Sequence, residues 1–211
     1  MKSYIIRIEL EGSKPLIWRR VIMPADATFR RLHDVIQTVT NFKSGYPYSG
    51  YYHLYQFDLS AEDKIVTNDA EYELTDLEVR NPKGLKIDAF LEKYKSIIYE
   101  YDFGDGWQFI VKLEKIVDDY YFGFPTLLDG ANSAPPEDVG GLGGFDEFLK
   151  AYRNPKHPNH EGLKFWGDSQ EFREYDPVFT NDMLKHISYK KTEWNKVNHK
   201  NYKIIDDKYR K

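Results

Sequence analysis

A chain of 211 residues with 41% hydrophobic and 16% aromatic residues has enough apolar side chain for a folded core, which excludes wholesale disorder. The absence of cysteine excludes disulfides, thiolate zinc sites and thiol catalysis. The sequence shows no signal peptide and no apolar run long enough to span a bilayer, so we expect a cytoplasmic protein without a membrane partner. The net charge of -4 is uneven, because residues 189–211 carry eight Lys or Arg and three Asp or Glu, a charge of +5, and the rest of the chain therefore carries -9.

The first part of the chain predicts a hairpin followed by a helix. Residues 4–10 alternate apolar and charged side chains with a period of two, and residues 16–23 form a second strand after a Gly–Pro turn. Apolar residues then recur at helical spacing over 29–42, which predicts an amphipathic helix capped by Asp26 or Thr28. The next segments predict a strand, an ambiguous stretch with one short strand, and a short helix, at residues 52–59, 67–79 and 87–94.

A second hairpin, around a Gly-Asp-Gly turn, is the strongest pattern in the sequence. A three-residue loop, 104–106, places Phe103 opposite Trp107 and Tyr101 opposite Phe109, so that the large apolar groups share one face. Gly106 suits the left-handed end of such a loop. The sequence therefore predicts strands at 97–103 and 107–117, with these buried side chains on one face: Tyr101, Phe103, Trp107, Phe109, Val111 and Leu113.

The remaining chain predicts a long ordered loop, then helices. Residues 124–144 are rich in Pro and Gly, and the glycines at 140–144 match no phosphate-binding motif and indicate a tight packing turn. Helical regions are predicted at 145–152, 159–166 and 181–189. We predict an α+β fold: a mixed β-sheet with β-hairpins and a packed helix (a β-grasp-like start), then a helical C-terminal part, in one domain at 1–188 with a basic tail at 189–211 partly packed on it.

Six segments, taken in order, resemble the plasmid pRiA4b ORF-3-like family. They are residues 13–21 (SKPLIWRRV), 32–37 (LHDVIQ), 53–57 (HLYQF), 99–107 (YEYDFGDGW), 134–141 with 144–145 (APPEDVGG and GF), and 154–160 (NPKHPNH). The resemblance spans residues 4–186. It implies a protein of plasmids, mobile elements and ordinary genomes without an established reaction. One member is labelled TnpR, but this chain has no resolvase active-site signature.

The chain departs from the family pattern at two positions. Members often have His-x-His after the helix, where this chain has His53 and then Tyr55. Members often have a histidine two residues after the hairpin tryptophan, where this chain has Phe109. These changes remove ligands from any metal-binding role of the two strands.

Arg19 and Arg20 are adjacent in a predicted strand, so their side chains point to opposite faces. One guanidinium must share a face with buried apolar residues, and it needs a carboxylate partner or an anionic ligand. We predict a charge-assisted hydrogen bond to an acid on the neighbouring strands. The favoured partner is Asp102 or Glu100, and a small anionic ligand is the alternative.

The histidines and acids give two further candidate sites. Glu100, Asp102 and Asp105 could hold Mg²⁺ or act as acid and base, but their positions also suit outward strand residues and a turn. The only possible metal set is His157 and His160 with His53 and His33, although a proline lies between the first two and the His-Glu-x-x-His signature is absent. The sequence predicts no cofactor.

No Ser–His–Asp order, nucleophile elbow or other complete catalytic motif is present. The leading interpretation is therefore a non-enzymatic module that binds a protein partner or a small anionic ligand. Its predicted surface combines these residues: Arg19 or Arg20, Tyr46, Tyr48, Tyr52, His53, Asp102, Glu137 and Asp138. Two alternatives remain: a nucleic-acid-associated accessory protein of plasmids or mobile elements, using the basic tail and the tyrosines, and a metal-dependent hydrolase using Asp102, His53, His157 and His160.

Overall fold

A computed structural model describes residues 2–45, 53–59, 65–67, 81–120, 122, 124–187 and 203–210. The strands within these ranges are β1 (Ser3–Leu10), β2 (Trp18–Pro24), β3 (Tyr55–Asp58), β4 (Ile65–Thr67), β5 (Ser96–Tyr101), β6 (Trp107–Val117) and β7 (Thr126–Ala131). The helices are α1 (Phe29–Val39), α2 (Asp88–Tyr94), α3 (Gly141–Tyr152), α4 (His160–Ser169), α5 (Pro177–Leu184) and α6 (Lys203–Lys208). The strands form one sheet in the order β4-β3-β5-β6-β1-β2-β7.

The predicted α+β class is confirmed. The two hairpins, β1–β2 and β5–β6, pair next to each other at the centre of the sheet, and every pairing of the described strands is antiparallel rather than mixed. No helix in the described ranges combines the length and the apolar character that crossing a bilayer requires.

Alternation along β1 sends its side chains to two separate apolar clusters. Tyr4, Ile6 and Ile8 enter the main core with the apolar stripe of α1, which begins after Thr28; the Thr28 hydroxyl accepts a hydrogen bond from the Arg31 amide. Ile5 enters a smaller cluster of residues from β2, β7, the β6–β7 segment and α6. Apolar packing therefore covers both faces of this strand.

The second hairpin keeps the predicted faces but not the predicted register. Tyr101 is opposite Trp107, and Tyr99 is opposite Phe109, so the loop contains five residues, 102–106, instead of three. Phe103 lies in this loop and is 38% exposed, so its predicted burial opposite Trp107 is wrong. Gly106 is left-handed, as predicted, at φ +68°.

The Pro- and Gly-rich segment contains more regular structure than the sequence predicted. β7 pairs with β2 at the edge of the sheet, where one side of a strand needs no backbone partner. Gly140 and Gly141 have φ values of +88° and +68°, and α3 begins here, so the predicted packing turn is the start of a helix. α5 begins four residues before its predicted start, because the Asp176 carboxylate accepts the amides of Val178 and Phe179.

Residues 203–210, the described part of the tail, pack on the body of the protein. Ile205 and Tyr209 are buried beside Ile5 and Ile22 on the sheet face opposite α1. The Tyr209 hydroxyl donates to Asp119, and the Lys208 ammonium pairs with the same carboxylate. Part of the basic charge is therefore neutralised by the acidic body.

Because of this neutralisation we expect weak binding to duplex DNA. At physiological salt, fluorescence anisotropy should give a dissociation constant no tighter than the roughly 1–100 μM of non-specific binding. A truncated chain ending at Ser188, checked for folding by circular dichroism, should bind no more than a few-fold differently. Tight binding that disappears on truncation would instead favour the nucleic-acid function.

Candidate functional site

Four of the predicted site residues meet at one end of the sheet. His53 lies just before β3, Asp102 directly follows β5, and Glu137 and Asp138 lie between β7 and α3. His53 Nδ1 is 3.5 Å from Asp102 Oδ1, whereas His53 Nε2 is 3.2 Å from Asp138 Oδ1 and 3.8 Å from Glu137 Oε2. One imidazole is therefore surrounded by three carboxylates from two separate segments.

Local backbone geometry fixes the two aspartates. Asp102 and Asp138 have φ values of +53° and +54°, in the left-handed region that aspartate tolerates better than most residues. Asp102 Oδ1 accepts hydrogen bonds from the Gly104 and Asp105 amides, at 3.0 and 3.4 Å, which holds the carboxylate in an Asx turn. Asp105 Oδ2 in turn accepts the Gly140 amide at 3.0 Å and ties this loop to the segment that carries Asp138.

Glu137 is the most unusual member of this cluster. Its side chain is fully buried, and its Oε1 accepts hydrogen bonds from the Lys43 amide (2.6 Å) and the Tyr101 hydroxyl (2.8 Å). Its Oε2 has no hydrogen-bond partner among the described residues and faces His53. Burial raises the pKa of the Glu137 carboxyl above its ordinary value, because the charged form loses hydration.

Ser44 and Tyr101 support the cluster from behind. The Ser44 hydroxyl is 2.7 Å from the Tyr101 hydroxyl and accepts the backbone N–H of His53 at 2.9 Å. Burial raises the pKa of the Tyr101 hydroxyl, so this group stays protonated and can donate to Glu137. The positions of both His53 and Glu137 are therefore set by hydrogen bonds outside the cluster.

The supporting network continues into the core below α1. Tyr99 OH is 2.8 Å from His33 Nδ1 and accepts Gln37 Nε2 at 3.0 Å, while Gln37 Oε1 accepts the Ser44 amide at 2.8 Å. Burial lowers the pKa of His33 to about 3, so this imidazole is neutral. A neutral, hydrogen-bonded network of this kind stiffens the wall behind the cluster.

Comparison with known proteins identifies the family. The model of the family described as "Plasmid pRiA4b ORF-3-like protein" matches residues 2–183. The chain belongs to this family.

Two relatives show how far the family likeness extends. The uncharacterized protein y4hQ of Sinorhizobium fredii is 31% identical over 169 residues, which cover 79% of this chain and 81% of that protein. A crystal structure of MM3350, a protein of unknown function from Methanosarcina mazei Go1, shares 31% identity and a TM-score of 0.68. That match covers 84% of this chain and 96% of the other.

Among the described residues, His53 is the one imidazole of the cluster, and aromatic residues occupy the two positions where the resemblance leads us to expect histidine. Tyr55 is buried and stacks on His33, with ring centroids 3.7 Å apart. Phe109 is buried beside Tyr99, 6.0 Å between centroids. Both of these side chains therefore belong to the aromatic core and offer no metal ligand.

Arg19 and Arg20 have different hydrogen-bond partners. Arg20 Nε is 2.5 Å from Glu114 Oε2, so one arginine does pair with an acid, but this acid lies on β6, beyond the neighbouring strand β1. Arg19 is buried, and its guanidinium donates to the backbone carbonyls of Val39, Trp18, Ala131 and Asn132. The expectation that the buried arginine needs a carboxylate such as Asp102 or Glu100, or an anionic ligand, is therefore wrong, because carbonyl oxygens accept its hydrogens.

The other predicted site residues lie elsewhere. Tyr46, Tyr48 and Tyr52 lie outside the described residues. His157 Nδ1 accepts the Asn159 amide, and His160 Nδ1 is 2.8 Å from the Ala151 carbonyl. In the part of the chain that the structure describes, neither belongs to a group of three potential metal ligands, whereas His53 does so with Asp102 and Asp138.

Proposed function

We propose that this protein is a binding module that holds the cationic group of a ligand between His53, Glu137 and Asp138. The observation that carries the proposal is the buried Glu137 Oε2, which faces the cluster without a hydrogen-bond partner among the described residues. A buried carboxylate oxygen without a partner is costly, and such groups call for a specific explanation. A cation of the ligand would supply the missing interaction.

The charges of the cluster support a cationic ligand. Among the described residues, His53 is the only ion-pair partner of Asp102, Glu137 and Asp138. Three carboxylates close to one imidazole repel each other unless a positive charge lies between them. The small anionic ligand expected from the sequence receives less support, because backbone carbonyls already occupy the guanidinium of Arg19.

Exposure of the cluster indicates a small binding group that enters from one side. The Asp138 side chain is half exposed and His53 is partly exposed, while Asp102 and Glu137 are buried at the base. A ligand would therefore meet Asp138 first and Glu137 last.

Two conservative substitutions test this proposal without any ligand. Asp138→Asn suits the left-handed backbone, and Glu137→Gln keeps an oxygen that can accept from Lys43 and Tyr101, so both variants should fold. In a ligand-free binding site each should leave the free energy of unfolding unchanged or raise it by about 0.5 kcal/mol or more, because like-charge repulsion falls. Urea unfolding followed by circular dichroism measures the change.

The pH dependence adds a second test. Because folding raises the pKa of Glu137, its ionisation lowers stability as the pH rises through the folded-state pKa. The stability advantage of Glu137→Gln should therefore appear above that pKa and shrink as the pH falls below it. A loss of about 1 kcal/mol or more in either variant at neutral pH would identify the carboxylates as structural partners of His53 and refute the binding proposal.

A further inference from the structure

The cationic group that fits this cluster best is a metal ion. We infer that His53 Nε2, Glu137 Oε2 and Asp138 Oδ1 bind one divalent first-row transition-metal ion, with Asp102 as the group that orients the imidazole. This inference rests on the proposed function and names the class of its ligand.

The separations between the donor atoms suit a metal of this size. Metal–nitrogen and metal–oxygen bonds of about 2.0–2.2 Å in a tetrahedral site place neighbouring ligand atoms roughly 3.3–3.6 Å apart. The distances from His53 Nε2 to Asp138 Oδ1 and Glu137 Oε2 are 3.2 and 3.8 Å, on either side of this range. Among the described residues, His53, Asp102 and Asp138 are the group whose ligand atoms all lie within 4.8 Å of one another. Coordination by Glu137 therefore requires the half-exposed Asp138 carboxylate to turn towards Glu137 Oε2 when the metal binds.

In this arrangement Asp102 contacts the His53 imidazole and does not bind the metal itself. One imidazole binds a metal through one nitrogen, and Asp102 Oδ1 lies on the Nδ1 side of His53, at 3.5 Å. A carboxylate on the far nitrogen of a metal-binding histidine fixes its tautomer and orientation. The Asx turn that holds Asp102 serves the same purpose, because it prevents this carboxylate from turning away.

Glu137 provides the second, independent indication of a ligand. Its Oε1 is held by two hydrogen bonds, so that Oε2 is aimed at His53 from a fully buried position. Hydrogen-bonded ligating carboxylates are a regular feature of metal sites. The buried oxygen would gain its missing partner from the metal.

The donor set selects the class of ion. One imidazole nitrogen with carboxylate oxygens suits Zn²⁺, Mn²⁺, Fe²⁺ and Co²⁺, whereas Mg²⁺ and Ca²⁺ prefer oxygen ligands alone. Three protein ligands with a half-exposed Asp138 leave at least one coordination position open to water or to a partner's donor atom.

Titration calorimetry of the untagged, full-length protein after dialysis against EDTA tests the site, with ZnCl₂ and CoCl₂ as probes. We expect one ion per chain, d–d absorption bands for bound Co²⁺, and a much weaker response to MgCl₂. His53→Gln, Glu137→Gln and Asp138→Asn should each weaken Zn²⁺ binding at least about tenfold. Asp102→Asn should weaken binding about 10–100-fold and keep the Co²⁺ spectrum, as expected of a positioning residue.

The double variant His157→Gln/His160→Gln is the matched control, because it removes the other pair of histidines and should bind Zn²⁺ like the unaltered protein. Absence of saturable binding, binding that survives in His53→Gln, or loss of binding in the control would overturn the metal assignment. The stabilities of the ligand-free variants distinguish a failure of the metal assignment from a failure of the cationic-ligand proposal. If Zn²⁺ does not bind but Glu137→Gln and Asp138→Asn leave the free energy of unfolding unchanged or raised, the metal assignment fails and the cationic-ligand site stands.

Discussion

Replacing Arg19 by methionine is expected to lower the free energy of unfolding by at least about 4 kcal/mol. The guanidinium donates to Val39 O at 2.8 Å in a buried setting, and to Trp18 O (2.8 Å), Ala131 O (2.9 Å) and Asn132 O (2.8 Å) in partly buried ones. A hydrogen bond to a charged group contributes about 1.5–3 kcal/mol, and methionine would leave four carbonyls without this donor. One side chain therefore joins β2, the end of α1 and the segment after β7.

The position of Val39 strengthens this expectation. Val39 is the last residue of α1, and its carbonyl is among those that a helix cannot satisfy internally. A cation at this end also interacts favourably with the helix dipole. Burial lowers the pKa of Arg19 to about 10, so the guanidinium keeps its charge at neutral pH.

Arg20 supplies the control for this experiment. Arg20→Met removes a partly exposed ion pair with Glu114 and one hydrogen bond to the Tyr209 carbonyl on the opposite face, and should cost about 1–2 kcal/mol, well below Arg19→Met. Arg19→Lys keeps the charge but loses the planar guanidinium with its fixed N–H donors. It should therefore be destabilised less than Arg19→Met but more than the unaltered protein. Equal losses in the free energy of unfolding for Arg19→Met and Arg20→Met would contradict the proposal that Arg19 joins these three segments.

The arginine pair also shows what the sequence could and could not provide. Strand alternation predicted that the two guanidiniums lie on opposite faces and that one is buried. It did not predict the partner, because backbone carbonyls at the end of α1 and after β7 leave no trace in residue type. A buried arginine needs acceptors, and main-chain oxygens serve as well as carboxylates.

The candidate site, like the arginine pair, could be predicted only in part from the sequence. The binding surface predicted from the sequence contains His53, Asp102, Glu137 and Asp138. Their contact depends on the β3–β5 pairing, which places His53 near Asp102, and on the hydrogen bond from the Gly140 amide to Asp105. Such long-range pairings are not encoded in local periodicity. The role of Tyr101 was missed because its position in the alternation already explained it as core.

The predicted register of the second hairpin is wrong because the side-chain pattern does not distinguish loops of three and five residues. Loops of three and five residues have the same parity, so both place Tyr99, Tyr101, Trp107 and Phe109 on one face. The structure uses five because the Asp102 carboxylate accepts the amides of Gly104 and Asp105 and its backbone turns left-handed, which ends β5 at Tyr101. Phe103 is then part of the turn, and Trp107 faces Tyr101.

Trp107→Ala should therefore lower the free energy of unfolding by about 3–5 kcal/mol, whereas Phe103→Ala should change it by less than about 1 kcal/mol. Trp107 is only 1% exposed and packs near Phe42, with ring centroids 5.9 Å apart. Its indole N–H has no hydrogen-bond partner among the described residues, so its contribution comes from packing. Trp107→Phe, which keeps most of that packing, should lose much less than Trp107→Ala.

Urea unfolding followed by circular dichroism makes this comparison independent of the fluorescence that Trp107 itself supplies. In the predicted three-residue loop Phe103 and Trp107 would be buried partners, and their alanine variants would cost similar amounts. In the five-residue loop Phe103 is a turn residue, so its removal leaves no large cavity. A large loss for Phe103→Ala would show that the hairpin pairs Phe103 with Trp107 after all, and Asp102 would then lie within the strand and could no longer turn towards His53.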